Sequence, residues 1–439
     1  MTPGARLQAA IELLDRILES EAPADAIVSA YLRERRHIGA GDRREVIERT
    51  YAVLRRRAAL GWWIDRNGTE VEVSGRTLMI VALALLEHRS ADRIAGSFDG
   101  GRYRPKPLSK PERLLAQALE GKEIDHPDQP RSVRFEYPEW LEPKLVEAFG
   151  MRLEEEMAAL MVEAPLDLRV NLLKATRPQA RAALMETGLE PVETPLSPWG
   201  LRLPSRVALG QNHAFQAGLV EVQDEGSQLI ALLTDAQPGM RVCDFCAGAG
   251  GKTLALAAAM ANKGHITACD VLRGRLDRSA VRLSRAGVHN VERVELDDER
   301  DPWVKKHKGR FDRVLVDAPC TGIGTWRRNP DAKWRLRPER LAELVQLQAR
   351  ILDSAARLVK PGGLLVYATC SLLPEENEAQ IQSFLSTHAE FAQTPVAELW
   401  SAQLSVPVPS CGASLILTPA SHGTDGFFLA VLTRKGSPA

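Results

Sequence analysis

From Gln216 onward, short apolar runs bounded by turn residues alternate with longer stretches whose apolar residues recur at helical spacing. Such alternation is the signature of a parallel sheet with crossover helices, and it predicts an α/β fold. Strands are expected at residues 241–245, 265–269, 291–296, 313–316 and 364–368. Two later runs, 414–417 and 427–432, are close enough in sequence to pair as an antiparallel hairpin. In an open α/β sheet, ligands bind beyond the carboxyl ends of the strands, so the residues just after each strand are the ones to read for chemistry.

Two other regions come first. Apolar residues recur at helical spacing from Arg6 to about Arg66, as in Leu13, Leu14, Ile17 and Leu18, and again over 77–94. A charged, proline-rich passage ends this bundle. A smaller α/β unit follows, with helical patterns after Pro138 and over 177–187, and strands at 167–171 and 200–203. The expected organisation is a helical domain over 1–130, a small α/β connector over 131–205 and the parallel-sheet domain over 206–439, which a chain of 439 residues accommodates.

With 44% hydrophobic and 26% charged residues the composition is that of an ordinary soluble protein. No run of eighteen apolar residues occurs, and the first twenty alternate charge with apolar residues, unlike a signal peptide. A cytosolic monomer with no membrane partner is expected. Formal charge is zero, yet nine arginines (33, 35, 36, 43, 44, 49, 55, 56 and 57) crowd residues 31–57 against four acids. A solvated helix face and a phosphate-contacting surface account for them equally well. The six cysteines all fall in the second half, mostly far apart, as reduced thiols do. Cys243-x-x-Cys246 has metal-ligand spacing, but no second pair accompanies it and the nine histidines show no paired spacing, so no metal is expected.

The first predicted strand runs into Cys246-Ala247-Gly248-Ala249-Gly250-Gly251-Lys252-Thr253. Its end resembles a phosphate-binding P-loop, but Cys246 stands where that motif needs its first glycine, and Thr253 stands where a dinucleotide fingerprint needs its third. What remains is a loop of small residues that lets a ligand approach the backbone at a helix N-terminus. The second strand leads to Asp270, where an acid can take the two hydroxyls of a ribose. Ribose and carboxylate without pyrophosphate describe S-adenosylmethionine. The competing reading takes Asp317, after the fourth strand, as a Walker B acid holding Mg²⁺.

Asp317-Ala-Pro-Cys320-Thr-Gly follows the fourth strand and Ala-Thr-Cys370-Ser the fifth, so two thiols share one sheet edge with the glycine loop. A thiol is needed beside a methyl donor when the acceptor is carbon 5 of a pyrimidine. That carbon becomes nucleophilic only after something adds to C6. Asp317 suits the N3/N4 edge of the base, and Lys252 is the nearest group for assisting proton transfers, or else pairs with a carboxylate.

The set FCAGAGGKT, ACD, VDAPCTGIGTWRRNPDAKW and YATCSLLPEENE resembles the Nop/Sun family of RNA 5-methylcytosine methyltransferases, in its bacterial ribosomal RNA branch. The likeness runs from about Asp167, through LRVNLLK and VQDEGSQL, to the end, including Asp425-Gly426-Phe427-Phe428. The early helical region is similar to the NusB-like RNA-binding domain of that branch. The resemblance implies a Rossmann-like class I methyltransferase sheet that binds S-adenosylmethionine and acts on RNA, ribosomal RNA first. It implies that Cys370 is the nucleophile at C6 and Cys320 the thiol that releases the product. It places Cys246, Ala247, Gly248, Ala249, Gly250, Gly251 and Lys252 around the methionine part of the cofactor, Asp270 on the ribose, Asp298 or its neighbour Asp297 near the adenine, and Asp317 between cofactor and cytosine. The family loop usually reads Cys-Ala-Ala-Pro-Gly-Gly-Lys. Gly248 and Ala249 at its third and fourth places remove a fixed φ, a loss of roughly half a kcal/mol of pre-organisation.

Other stretches have two readings. The Trp326–Trp334 run, mixing aromatic and basic residues, suits a flipped base and its phosphates, or is a packed tryptophan loop. Arg169 and Asn171 are candidate RNA contacts or ordinary strand residues. Phe427 and Phe428 read as core, and Pro374 to Glu378 as a helix start. The alternatives to a methyltransferase are an RNA-dependent ATPase and a non-catalytic RNA-binding assembly factor.

Overall fold

The computed structural model describes residues 1–67, 70–409 and 412–436; Cys411 lies outside them. The chain forms two compact units, Met1–Val162 with Trp326–Leu336, and Glu163–Thr325 with Arg337–Ala439.

The first unit is helical. Pro3–Leu18, Ala40–Arg55, Arg57–Arg66, Ala91–Ser97 and Lys110–Leu119 pack around Gly75–Leu85, in which ten of eleven residues are buried, and Ala24–Glu34 packs against Pro3–Leu18. A helix apolar on every side must lie at the centre of a bundle, and this one does. It starts at Ser74, which forms a reciprocal cap with Thr77, and its first N–H, on Gly75, donates to Asp15 Oδ1 at 2.7 Å.

The arginine-rich stretch is largely occupied by internal work. Arg35 lies 3.8 Å over the Tyr31 ring, Arg43 donates to the Ile38 carbonyl at 2.7 Å, and Arg49 pairs with Glu87 at 3.0 Å. Arg55 donates to the Arg327 carbonyl at 2.6 Å and Arg57 lies 5.7 Å over Trp334. Arg33, Arg36 and Arg44 are exposed. Within the Trp326–Leu336 segment, Trp326, Arg327 and Lys333 are buried, and Asp331 Oδ2 accepts from the Ala24 N–H at 3.0 Å. The packed reading of this run is the one observed.

The second unit contains two sheets. The smaller has strands β1 (Leu166–Val170), β2 (Val192–Glu193), β3 (Gly200–Leu203) and β4 (Val220–Val222), all antiparallel, in the order β2-β3-β1-β4. The small sheet therefore draws on chain beyond residue 205. Its buried polar residues are internal ties. Arg202 holds Asp167 through two bonds of 2.6 and 2.8 Å, and buried Arg169 donates to Gln223 Oε1 at 2.6 Å. Asn171 Nδ2 donates to the carbonyls of Gly218 and Ala286, both at 2.9 Å, and so joins the small sheet to a helix of the larger one.

The larger sheet comprises β5 (Arg241–Asp244), β6 (His265–Asp270), β7 (Val291–Glu295), β8 (Phe311–Asp317), β9 (Val359–Thr369), β10 (Phe391–Thr394), β11 (Leu415–Leu417) and β12 (Phe427–Arg434). Its order is β10-β12-β9-β8-β5-β6-β7, with β11 on β12. Strands β5 to β9 are parallel, whereas β12 runs antiparallel to β9, β10 and β11, so the expected β11–β12 hairpin forms. Phe428 meets Tyr367 edge-on in the core, and Phe427 is buried as well. This is a Rossmann-like, doubly wound sheet with an antiparallel strand, β12, added beside β9. Among the described residues no helix is long and apolar enough to cross a membrane.

Candidate active site

Strand order reverses between β5 and β8, and the glycine loop leaves β5 at that point, where open α/β sheets bind ligands. Asp244 ends β5 fully buried, with Oδ2 accepting from the Thr253 hydroxyl at 2.7 Å. Burial pushes its carboxyl up to about 7, against the lowering effect of that bond. Gly250 has φ of 79° as it caps the helix Gly251–Ala259, and a Cβ there would lie 2.9 Å from Ser279 Cβ. Only glycine meets both conditions. Arg282 Nη1 secures the loop by donating to the Ala249 carbonyl at 2.7 Å.

Asp270 ends β6 beside this loop. Its Oδ2 accepts from the Gly248 N–H and its Oδ1 from the Leu272 N–H, both at 2.8 Å. After β7, Asp297 and Asp298 are both exposed. Asp298 Oδ1 accepts from the Arg300 N–H at 2.7 Å, and the Asp297 N–H donates to Asp301 at 2.9 Å.

Lys252, in the first turn after the loop, reaches Asp317 at the end of β8, Nζ to Oδ2 at 2.7 Å. Burial pulls its ammonium down, but the charge and hydrogen bond of Asp317, helped by Cys370 and Asp244, carry it above its ordinary value. The two thiols are in contact, Cys320 Sγ to Cys370 Sγ at 3.4 Å. The Cys320 thiol is raised well above its usual range, first by its bond to Cys370, then by burial and the charges of Cys370 and Glu376. Burial likewise pushes Cys246 and Cys243 up.

The same architecture recurs in known proteins. A family model described as 16S rRNA methyltransferase RsmB/F matches residues 231–433, and one described as an RsmF/B-like ferredoxin-like domain matches 137–209. The chain is 34% identical over 410 residues to a probable ribosomal RNA small subunit methyltransferase B of Synechocystis, covering 90% of this chain and 91% of that one. It belongs to the RsmB family of methyltransferases. The Klebsiella pneumoniae methyltransferase B is 38% identical over 302 residues, covering 69% of this chain and 67% of its own. Among solved structures, PH0851 superposes with a TM-score of 0.77 at 28% identity over 98% of this chain and 99% of its own. A methyltransferase homologue from Pyrococcus horikoshii gives 0.59 at 30% identity over 69% of this chain and 97% of its own.

The cofactor of this RsmB-family chain is S-adenosylmethionine. The site suits it. A Cβ built on Gly248 would meet nothing within 4 Å, so open space faces the loop backbone, and Asp270 lies against that same glycine.

Sequence reasoning did not mark two acids of this site. Asp244 was covered by the buried-strand pattern. Glu376, inside a run that looks like a helix start, is fully buried and accepts from the Thr321 N–H at 2.9 Å. Gly324 and Gly426 stand within the quoted motifs but were given no role of their own. The Gly426 N–H donates to the Gly324 carbonyl at 2.8 Å, and the Gly324 N–H to the Cys370 carbonyl at 2.9 Å, which ties the C-terminal motif to the thiol loop.

Proposed function

We infer that the protein methylates C5 of a cytidine in ribosomal RNA through a covalent Cys370 adduct at C6. The observation that carries this reading is the 3.4 Å contact between Cys320 and Cys370 at adjacent strand ends, beside the Lys252–Asp317 pair. The names of the methyltransferase B relatives support the choice of RNA.

S-adenosylmethionine, held by residues 246–252 with Asp270 and Asp298, supplies an electrophilic methyl group. Cys370, as thiolate, adds to C6 and leaves C5 enamine-like. Asp317 receives the N3/N4 edge, and protonation at N3 makes C6 more electrophilic. After C5 is methylated, loss of its proton and cleavage of the C6–sulfur bond restore the ring, with Cys320 as the neighbouring thiol at that step. The helical domain takes the flanking RNA, and its exposed Arg33, Arg36 and Arg44 suit phosphate contact. A triphosphate loop would aim its lysine at phosphate, whereas Lys252 is paired with Asp317.

Transfer of labelled methyl to unmodified ribosomal RNA, with nucleoside analysis, tests the reading. Wild type should yield 5-methylcytidine, Cys370→Ala none, and Cys320→Ala protein held covalently on RNA. Full methylation by Cys370→Ala would sink it.

A further inference from the structure

The residues that follow the two thiols converge on one carboxylate. Glu376 Oε1 accepts from the Thr321 N–H and from Gln348 Nε2, both at 2.9 Å. Its Oε2 accepts from the Thr321 hydroxyl at 2.5 Å and from the Ser371 hydroxyl. Thr321 comes directly after Cys320, and Ser371 directly after Cys370. Gln348 Nε2 also donates to the Pro319 carbonyl at 2.9 Å, just before Cys320.

The strand ladder does not reach this far. The β8–β9 register ends at Asp317 opposite Ala368, and the Ala318 N–H to Ala368 carbonyl bond, at 2.8 Å, is its last extension. Beyond it the two loops are joined by the Gly324–Cys370 backbone bond, by a 3.2 Å contact between the Thr321 and Ser371 hydroxyls, and by Glu376, which accepts from both of those hydroxyls. The carboxylate is itself aimed inward. The Tyr367 hydroxyl donates to the Glu376 carbonyl at 2.7 Å, and the neighbouring Asn377 accepts from the Thr369 hydroxyl at 2.6 Å and donates to the Ser371 carbonyl at 3.0 Å.

A buried charge is costly unless donors fill its lone pairs, and here four do. An acid that merely started a helix would sit in water. All four donors need an acceptor, so an amide in the same place would turn an NH₂ group toward some of them.

We propose that Glu376 is the positioning residue of the two-thiol site: by joining the residues after Cys320 and Cys370, it holds the thiols at the spacing that lets one add to the base while the other acts on the adduct. The proposal rests on the two-thiol reading of the site. The charge of Glu376 also contributes to keeping Cys320 in its thiol form.

The test uses the full chain with Glu376→Gln, Thr321→Val and Ser371→Ala. It measures kcat and KM for methyl transfer, and the rate at which dibromobimane, which alkylates two neighbouring thiols, bridges Cys320 to Cys370 as mapped by mass spectrometry. Glu376→Gln should lower kcat by about a hundredfold with KM changed by about twofold or less, as expected for misplaced reacting groups. It should slow bridging about tenfold, on the same loss of geometry. Thr321→Val and Ser371→Ala, each deleting one donor, should shift both readings the same way by less. They keep the proposal open to refutation if Glu376→Gln does not fold. Bridging at the wild-type rate in the folded variants overturns it. Bridging needs no RNA, so slowed bridging in the variants supports the positioning role even if wild type makes no 5-methylcytidine, a result that would count against the methylation reading alone.

Discussion

Lys252 and Asp317 form an ion pair across the mouth of the sheet, with the lysine side chain 9% and the aspartate 34% exposed. The ammonium lies above its ordinary 10.5, so it is cationic throughout neutral pH and can donate a proton but not accept one. Because the folded value is raised, its contribution to stability is complete below 10.5 and is lost only as pH climbs through the higher folded value. Lys252→Met leaves the Asp317 carboxylate without its partner. The expected result is a loss in kcat of roughly a hundredfold or more, the scale of removing one positioned charge from an active site. Single-turnover methyl transfer checks it, and the wild-type rate profile should show no break from this lysine below about pH 9.

Asp244 gives a second pH signature, of opposite sense to that of an ordinary surface acid. Its folded value of about 7 lies above the usual 3.8, so the folded state keeps a proton that the unfolded state has lost. Stability from this group is greatest below 3.8 and falls as pH rises toward 7. Asp244→Asn cannot ionise. The stability of wild type relative to this variant should therefore decline between about pH 4 and 7, by up to about 1.4 kcal/mol per pH unit, and level off above. Urea titrations of both proteins across that range test it.

What the sequence disclosed and what it hid follow from periodicity. The parallel strands and the thiols at their ends were legible because buried strands read as apolar runs, and chemistry in such a sheet collects where the runs stop. Edge strand β10, with Phe391 its one strongly apolar residue, and the three-residue β4 leave no such run. Pairing hid other roles. Arg169 and Asn171 have polar names but buried places, because their partners, Gln223, Gly218 and Ala286, come from chain 47 to 115 residues away. The arginine-rich stretch misleads in the same way, since most of its charges meet distant acids, carbonyls or rings. Glu376 was hidden by a sufficient local explanation, an acid at a helix start, and only the folded chain shows four donors around it.

The buried pair in the helical unit sets a third expectation. Glu136 accepts from the Ala58 and Ala59 N–H groups at 2.9 and 3.0 Å, and Lys333 is its leading electrostatic partner. Burial pushes Glu136 up to about 7 and Lys333 down to about 8. Deleting one member strands the other, so Glu136→Ala should cost about 3–5 kcal/mol. The double variant Glu136→Ala, Lys333→Met should regain part of this, because no charge is then left buried without its partner. A double-mutant cycle by urea denaturation decides it, and simple additivity would count against the coupling.

Gly324 and Gly426 approach so closely that a Cβ on Gly324 would lie 2.2 Å from the Gly426 carbonyl oxygen, and one on Gly426 would lie 2.6 Å from Gly324 Cα. Both obstacles are backbone and cannot swing aside as a side chain would. Alanine at either position must push the Asp425-Gly426 turn away from the loop that carries Cys320, and Gly324 also donates to the carbonyl of Cys370. The expected destabilisation is about 1–3 kcal/mol, the usual cost of overpacking. Methyl transfer should fall with it, while cofactor affinity, assigned in our proposal to the glycine loop and Asp270 at the other strand ends, should stay near wild type. Combining the two alanines should cost less than the sum of the single effects, because the first already opens the gap that the second needs. Thermal melts and cofactor titration of the three variants provide the check.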